Sequence, residues 1–407
     1  MNILKKHMDF VLLFFIIGFF ISDFVTSITY KVFPGAFHRY SGIIKLLFEV
    51  IMIIMIISNR DKNRKALLFL FTLSLCFLIS QFIVTKDGYF FKTQILEGNI
   101  YFFNKYIYIL IFILFIKSVG VKKETFLRIF YFFIFILFIN SIMILLGFLF
   151  EIQLFKSYEY TERFGYSGFF SKPEEAGFMY MIAIIYYYYL WVIKKENKYL
   201  FKILFWVFFA LLIGKKAILL FLVLIFLGHT IFIAKYRMVY RFLLPLIALG
   251  FYVFKESILR YMLELFPFWT DLYQQSGLLT TLSSKRDVLL VEAVNYIDLN
   301  WKFLNYIFGG IDISKYKVEF ELVDLYMFLG VFGIAFYFYL IIFHFLKKGS
   351  FLKKTLLLTV FSTSFLSGGL ILNVTAIIIF YIVANYLMTE NGSTEKIDEI
   401  PRDSFLI

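Results

Sequence analysis

Apolar stretches approaching twenty residues recur from one end of this chain to the other, among them 10–21, 43–57 and 126–150. A helix needs roughly 20 apolar residues to cross the ~30 Å of hydrocarbon in a bilayer. Inside lipid every backbone N–H and C=O must be satisfied within its own segment, which leaves helices. The long apolar blocks also lack the strict alternation of barrel strands. Composition agrees with a bilayer as solvent. Of 407 residues, 61% are hydrophobic and 17% charged, and the mean hydropathy is +0.84, far from the usage of a soluble globule. The chain therefore reads as all-α, a polytopic transmembrane helix bundle of about twelve spans.

The spans are expected at 10–30, 41–58, 66–84, 100–117, 126–150, 176–193, 200–214, 216–234, 240–256, 322–346, 352–368 and 370–388. The short connections 59–65, 117–124, 194–202, 235–241 and 347–354 are strongly basic and fall on alternate loops. The positive-inside rule puts these in the cytoplasm together with both termini. The opposite face carries three longer connections, 85–99, 151–175 and 256–321, and loops of that kind carry most chemistry. Residues 1–389 form a single transmembrane domain, with 256–321 as a large extracytoplasmic loop between spans 9 and 10. Within that loop 259–269 suits the interface and 287–299 a short amphipathic helix. Residues 390–407 read as a polar cytoplasmic tail. The first apolar stretch lacks a small-residue cleavage site and reads as a span.

Some chemistries are set aside. Cys76 stands alone in an apolar run, so no internal disulfide forms. His7, His38, His229 and His344 are scattered without zinc-type spacing, so no metal site is expected. No P-loop is present, and no soluble basic domain exists to bind nucleic acid.

Four clusters of charge stand out on the extracytoplasmic side. Lys215 and Lys216 follow Gly214 between two spans with almost no loop. Such lysines either snorkel or bind a lipid-attached phosphate. Arg163 begins a Gly- and Ser-containing loop that reaches span 6 through Lys172 and Pro173, a setting in which arginine and backbone amides meet an anion at a helix N-terminus. Ser283, Ser284, Lys285, Arg286 and Asp287 open the amphipathic helix, either as its cap or with Arg286 projecting toward the bundle. Glu319, Glu321 and Asp324 lie at the start of span 10; residues 321 and 324 share a helix face, and acids this near hydrocarbon need partners. Tyr166 and Trp269 are candidates to stack on sugar rings.

The order of these features resembles the O-antigen polymerase and ligase family of bacterial surface-polysaccharide enzymes, over roughly residues 150–345. Arg163, Gly168, Pro173 and Ala176 resemble that family's loop, with Glu174 where Asn commonly follows proline. Lys215 and Lys216 stand where many members have Ser-Arg. Arg286 fits the arginine ahead of the loop helix, and Phe308 to Gly310 the small-residue turn after it. The stretch from Glu319 to Gly333 resembles the acidic motif of polymerases, with Gly330 and Gly333 three apart. Ligases typically carry His-Asn at its start, whereas Glu319 and Phe320 stand here.

The resemblance implies a GT-C-like membrane glycosyltransferase architecture in a bacterial cytoplasmic membrane, working without cofactor or metal. The implied partners are an undecaprenyl-pyrophosphate-linked oligosaccharide and the lipid bilayer, with a flippase and chain-length regulator proteins as companions. The implied reaction moves a growing glycan from its lipid pyrophosphate to a lipid-linked repeat unit at the outer leaflet. In that scheme Arg163, Lys215, Lys216, Arg286, Lys172 and Lys285 serve the pyrophosphate, and Glu319, Glu321 or Asp324 orients or deprotonates the attacking hydroxyl. A flippase or transporter of the lipid-linked unit, or a ligase-type transferase, are the alternatives.

Overall fold

The computed structural model describes residues 7–33, 37, 39–85, 93–158, 163–233, 243, 245, 249, 253–254, 267–347 and 349–388. Among these the chain is helical, with no β-strand and one isolated antiparallel bridge between Lys156 and Tyr166. Seven helices are long and apolar enough to cross a membrane. In chain order these include α1 (Met8–Val32), α2 (Tyr40–Ser58), α3 (Arg60–Thr85), α4 (Thr93–Val119), α5 (Lys123–Phe150) and α6 (Pro173–Lys194). After α7 (Asn197–Leu212) and α8 (Lys216–Gly228) the described chain resumes with α9 (Pro267–Ser283), α10 (Arg286–Asn300), α11 (Phe303–Phe308) and α12 (Ile313–Tyr316). The seventh long helix, α13 (Glu321–Tyr339), follows, then α14 (Phe351–Ser367) and α15 (Val374–Ile382). The span expected at 240–256 falls almost wholly outside the described residues, as do 259–266 and the tail 390–407.

Four helices at expected span positions are short: α7 and α14 have about the length the sequence suggests, whereas α8 and α15 are shorter as α-helix than the spans expected at 216–234 and 370–388. The 16 residues of α7 and 17 of α14 extend only about 24–26 Å at 1.5 Å per residue. α8 and α15 each continue through one wide π turn, His229–Ile233 and Val383–Leu387. The consequence lies in the turns joining these short helices. Between α7 and α8, Ile213 is fully buried and Lys215 nearly so; between α14 and α15, Leu370 and Ile371 are fully buried. Both turns touch the loop helices: Lys216 Nζ donates to the Thr281 carbonyl and Arg286 Nη2 to that of Ser367.

Lipid is as apolar as leucine, so helices in it are held by close packing and polar contacts. Among the seven long helices α4 and α6 are the most enclosed, whereas α1, α3 and α5 turn large side chains such as Phe10, Phe14, Phe71, Phe82 and Tyr131 outward. Between α5 and α6, Ser141 Oγ lies 2.8 Å from the Tyr180 hydroxyl, and Asn140 Nδ2 donates to the same oxygen at 3.3 Å. Asn140 Oδ1 accepts the Phe169 N–H at 2.9 Å, which ties the loop before α6 to α5.

The loop helices are anchored in the same way. Asn99 donates to Gln81 Oε1 at 2.8 Å and to the Ile311 carbonyl at 3.0 Å, and accepts from Ile313 N. Helix α11 packs on α13 where Gly330 breaks the helical backbone at φ 61. A Cβ at Gly330 would lie 2.3 Å from the Ile307 carbonyl oxygen, so only glycine permits this approach. The Asn305–Gly310 segment is thereby locked to the start of α13, and Gly310 N–H donates to the Met327 carbonyl at 3.1 Å.

Candidate functional site

The loop carrying Arg163 and the hairpin carrying Lys215 are built as one unit. Tyr166 N–H donates to the Leu212 carbonyl at 2.8 Å, and Ser157 Oγ to the Ile213 carbonyl at 3.0 Å. Gly165 and Gly214 face each other across this seam. A Cβ on Gly214, at φ +72, would lie 2.1 Å from the Phe164 carbonyl oxygen, and one on Gly165 would lie 2.2 Å from that of Ile213. Backbone meets backbone here, so no side-chain shift relieves a substitution.

Arg163 and Lys216 converge on Trp269 at the start of α9. The Arg163 guanidinium carbon lies 4.8 Å from that ring's centroid and 3.9 Å from that of Tyr158, and Lys216 Nζ lies 3.2 Å from the Trp269 centroid. Lys216 Nζ also donates to the Thr281 carbonyl. Cations over aromatic faces gain roughly 0.5–2 kcal/mol each, more where water is excluded. Burial pushes Arg163 below the usual arginine range, with the Tyr158 ring opposing that and Arg286 adding to it.

Arg286 enters from the first turn of α10. Its Nη2 donates to Glu319 Oε2 at 3.0 Å and to the Ser367 carbonyl at 3.2 Å, and its Nη1 to the Ser283 carbonyl at 3.3 Å. The turn that presents it is fixed by Asp287, which accepts from Ser283 Oγ at 2.6 Å and Thr280 Oγ1 at 2.5 Å. Arg286 Nε and Ser367 Oγ are sealed from solvent and have no hydrogen-bond partner among the described residues. Buried polar atoms of this kind are rare, and the group that completes them is an expected ligand contact.

Lys215 pairs with Glu174 Oε1 at 3.8 Å. Burial pushes the Lys215 ammonium down to about 8, with Glu174 working against that and Arg286 adding to it. Glu174 is the second residue of α6, where proline at the first position and an acid in the first turn suit a helix N-terminus. Its Oε2 lies 3.2 Å from where a side chain on Gly369 would begin, next to the Ser367 carbonyl that Arg286 holds. The two ion pairs therefore adjoin one turn of chain. Lys317 is a further electrostatic neighbour of Glu174.

The three acids at the start of α13 are not equivalent. Asp324 accepts the backbone N–H groups of Val318 at 2.8 Å and Glu319 at 3.1 Å. Glu321 accepts Ile371 N–H at 2.6 Å and the Ser364 hydroxyl, and so grips the α14–α15 turn. Both carboxylates are almost fully buried and engaged in holding backbone. Of the three, Glu319 makes the ion pair found among the described residues, from a left-handed backbone at φ 67 that costs a non-glycine residue about 1–2 kcal/mol. Asp324 holds that strained conformation in place.

Arg163, Lys215, Lys216, Arg286, Glu319 and Trp269 are thus brought together from four separate stretches of chain. Lys172 lies exposed at the margin, as an electrostatic neighbour of Glu174. Lys285 is exposed on the α9–α10 turn and has no ion pair among the described residues. Tyr166 is instead buried among aromatic rings, edge-on to Phe148 and Phe164 at about 6 Å. Glu174, Tyr158 and Lys317 belong to the cluster and were not singled out from the sequence. An acid in a helix's first turn has an ordinary capping explanation, and nothing local marks the other two. No group of histidine, cysteine or acidic residues among the described residues is arranged to hold a metal ion. No family model, curated protein or solved structure matches the chain.

Proposed function

We propose that this chain is a membrane glycosyltransferase that polymerises lipid-linked oligosaccharide repeat units for O-antigen, capsule or exopolysaccharide. The observation that carries the reading is the charge surplus around Trp269. Four cations, Arg163, Lys215, Lys216 and Arg286, accompany two carboxylates, Glu174 and Glu319, whereas Lys317 lies in the fields of Glu321 and Asp324 as well as Glu174. Such a surplus in a buried, membrane-embedded setting calls for an anion of about two charges, which a sugar-linked pyrophosphate supplies.

In the proposed reaction the hydroxyl oxygen of the acceptor sugar forms a bond to the anomeric carbon of the donor glycan. The bond from that carbon to the pyrophosphate oxygen breaks, and its electron pair leaves with the lipid pyrophosphate. Arg163, Lys215, Lys216 and Arg286 stabilise the charge on the departing group. Glu319 orients the attacking hydroxyl and takes its proton. Glu321 and Asp324 act through position, by holding the turns that present Glu319 and Ser367. The pyrophosphate leaving group drives the step, so the reading includes no nucleotide. It also includes about twelve spans, both termini in the cytoplasm and the site at the outer leaflet of a bacterial cytoplasmic membrane.

The test is incubation of purified protein with undecaprenyl-pyrophosphate-linked repeat units, without nucleotide. The expected result is a ladder of longer glycans that Arg286→Ala abolishes; no product longer than one unit from active, folded protein would overturn the reading. A flippase is the second reading, favoured by the charges of Asp23, Lys45, Glu49 and Lys105 inside the bundle. It predicts translocation of the lipid-linked unit in liposomes with no extension of the glycan.

A further inference from the structure

Asp23 in α1, Lys45 in α2, Lys105 in α4 and Glu175 in α6 form a second charged cluster, inside the bundle. Asp23 is fully engaged. Its Oδ1 accepts from Lys45 Nζ at 2.7 Å and from the Ser41 hydroxyl, and its Oδ2 from Thr375 Oγ1 at 2.8 Å. Glu175 and Lys105 are not. Glu175 is only 8% exposed and lies within the fields of Asp23, Lys45, Lys172 and Lys105. Neither Glu175 nor Lys105 makes a side-chain hydrogen bond or closes to ion-pair distance among the described residues. Lys105 has only the Tyr101 ring, 4.3 Å from its Nζ. A carboxylate and an ammonium buried together without pairing are costly to maintain, and a ligand contacting both removes that cost.

Charge balance indicates what that ligand is. Here two carboxylates accompany two ammoniums, with the exposed Lys172 as a third cation at the margin, so the cluster is closer to balance than the cation-rich cluster at Trp269. A phosphate meets Asp23 and Glu175, and a metal ion meets Lys45 and Lys105. A neutral ring bearing several hydroxyls meets neither objection, because each hydroxyl can donate to Glu175 or accept from Lys105. The two clusters are also joined. Glu174, which pairs with Lys215, and Glu175 are consecutive residues in the first turn of α6, and Lys172 acts on both. A sugar attached directly to a pyrophosphate has the same order, a dianion followed at once by a neutral polyol.

We infer that Lys105 and Glu175 bind the hydroxyls of the sugar ring next to the lipid pyrophosphate, a subsite that rests on the transferase reading above. The test uses the purified full chain in nanodiscs and two probes, undecaprenyl pyrophosphate and the same lipid carrying one N-acetylhexosamine. Wild type is expected to hold the sugar-bearing probe more tightly. Glu175→Gln is expected to lose about tenfold in affinity for that probe, as for one charge-assisted hydrogen bond, and to keep its affinity for the bare lipid. Bare-lipid binding doubles as the folding control, and Lys105→Gln replaces Glu175→Gln where the latter does not fold. Unchanged binding of the sugar-bearing probe in both variants, or an equal loss for both probes, overturns the inference. A wild type that binds both probes equally removes the subsite and leaves the transferase reading standing; one that binds neither removes both.

Discussion

Replacing Arg286 with alanine separates what this residue does for the fold from what it does for a ligand. In the fold it makes three contacts, to Glu319, Ser367 and Ser283, at 3.0, 3.2 and 3.3 Å. The Glu319 side chain is 39% exposed, so solvent screens that ion pair and its loss costs about 1 kcal/mol or less. The two carbonyl contacts are long, and their net worth is about 1 kcal/mol apiece. Stability should therefore fall by about 2–3 kcal/mol, within reach of a folded, purifiable protein. For a departing pyrophosphate, removal of one preorganised donor costs about 100- to 1000-fold in turnover. Arg286→Lys keeps the charge and loses the fork, because one ammonium cannot reach Glu319, Ser367 and Ser283 together; it should recover part of the stability and at most about a tenth of the activity. The assay is glycan extension on gels alongside thermal unfolding in the same detergent. Near-normal extension by a well-folded Arg286→Ala protein would refute the reasoning, as would full activity in Arg286→Lys.

Three further outcomes follow from the geometry. Lys215, depressed to about 8 by burial among Glu174, Arg286, Glu319 and Arg163, should lose its charge as pH rises through that value, weakening undecaprenyl pyrophosphate binding between about pH 7 and 9. Between about 8 and the ordinary lysine value of 10.5 the folded chain holds fewer protons at this site than the unfolded chain, so the site's contribution to stability rises with pH while binding falls; binding that is flat to pH 10 contradicts this. Gly214→Ala forces a Cβ against the Phe164 carbonyl at φ +72 and should lower stability by about 1–3 kcal/mol in thermal unfolding; an unchanged unfolding temperature counts against the seam. Glu321→Gln should destabilise the protein, since it weakens the grip on Ile371 N–H and Ser364, whereas Glu319→Gln should keep its unfolding temperature and lose glycan extension; the reverse pattern would reassign the base.

Much of the fold was legible because apolar length is a local property. Runs such as those that became α1, α2 and α5 have no other use than to cross or line a bilayer, and their helices fall where the sequence puts them. The basic connections and Pro173 at the start of α6 were readable for the same reason, since a few residues decide each. The loop helix expected at 287–299 is α10, longer by one residue at each end.

The sequence by itself determined a helical membrane protein with charge concentrated in a few loops. Tertiary structure decided which charges meet. Lys215 is buried because the turn between α7 and α8 is covered, and Glu319 rather than Glu321 or Asp324 pairs with Arg286 because the other two carboxylates bind backbone N–H groups. Glu174 and Glu175, neighbours in the chain, serve different clusters because consecutive residues on a helix point about 100° apart. Such partnerships join residues tens to hundreds of positions apart, as Asp23 does with Thr375, and no local spacing encodes them. Only the packing of helices against one another brings those distant charges within a few ångströms.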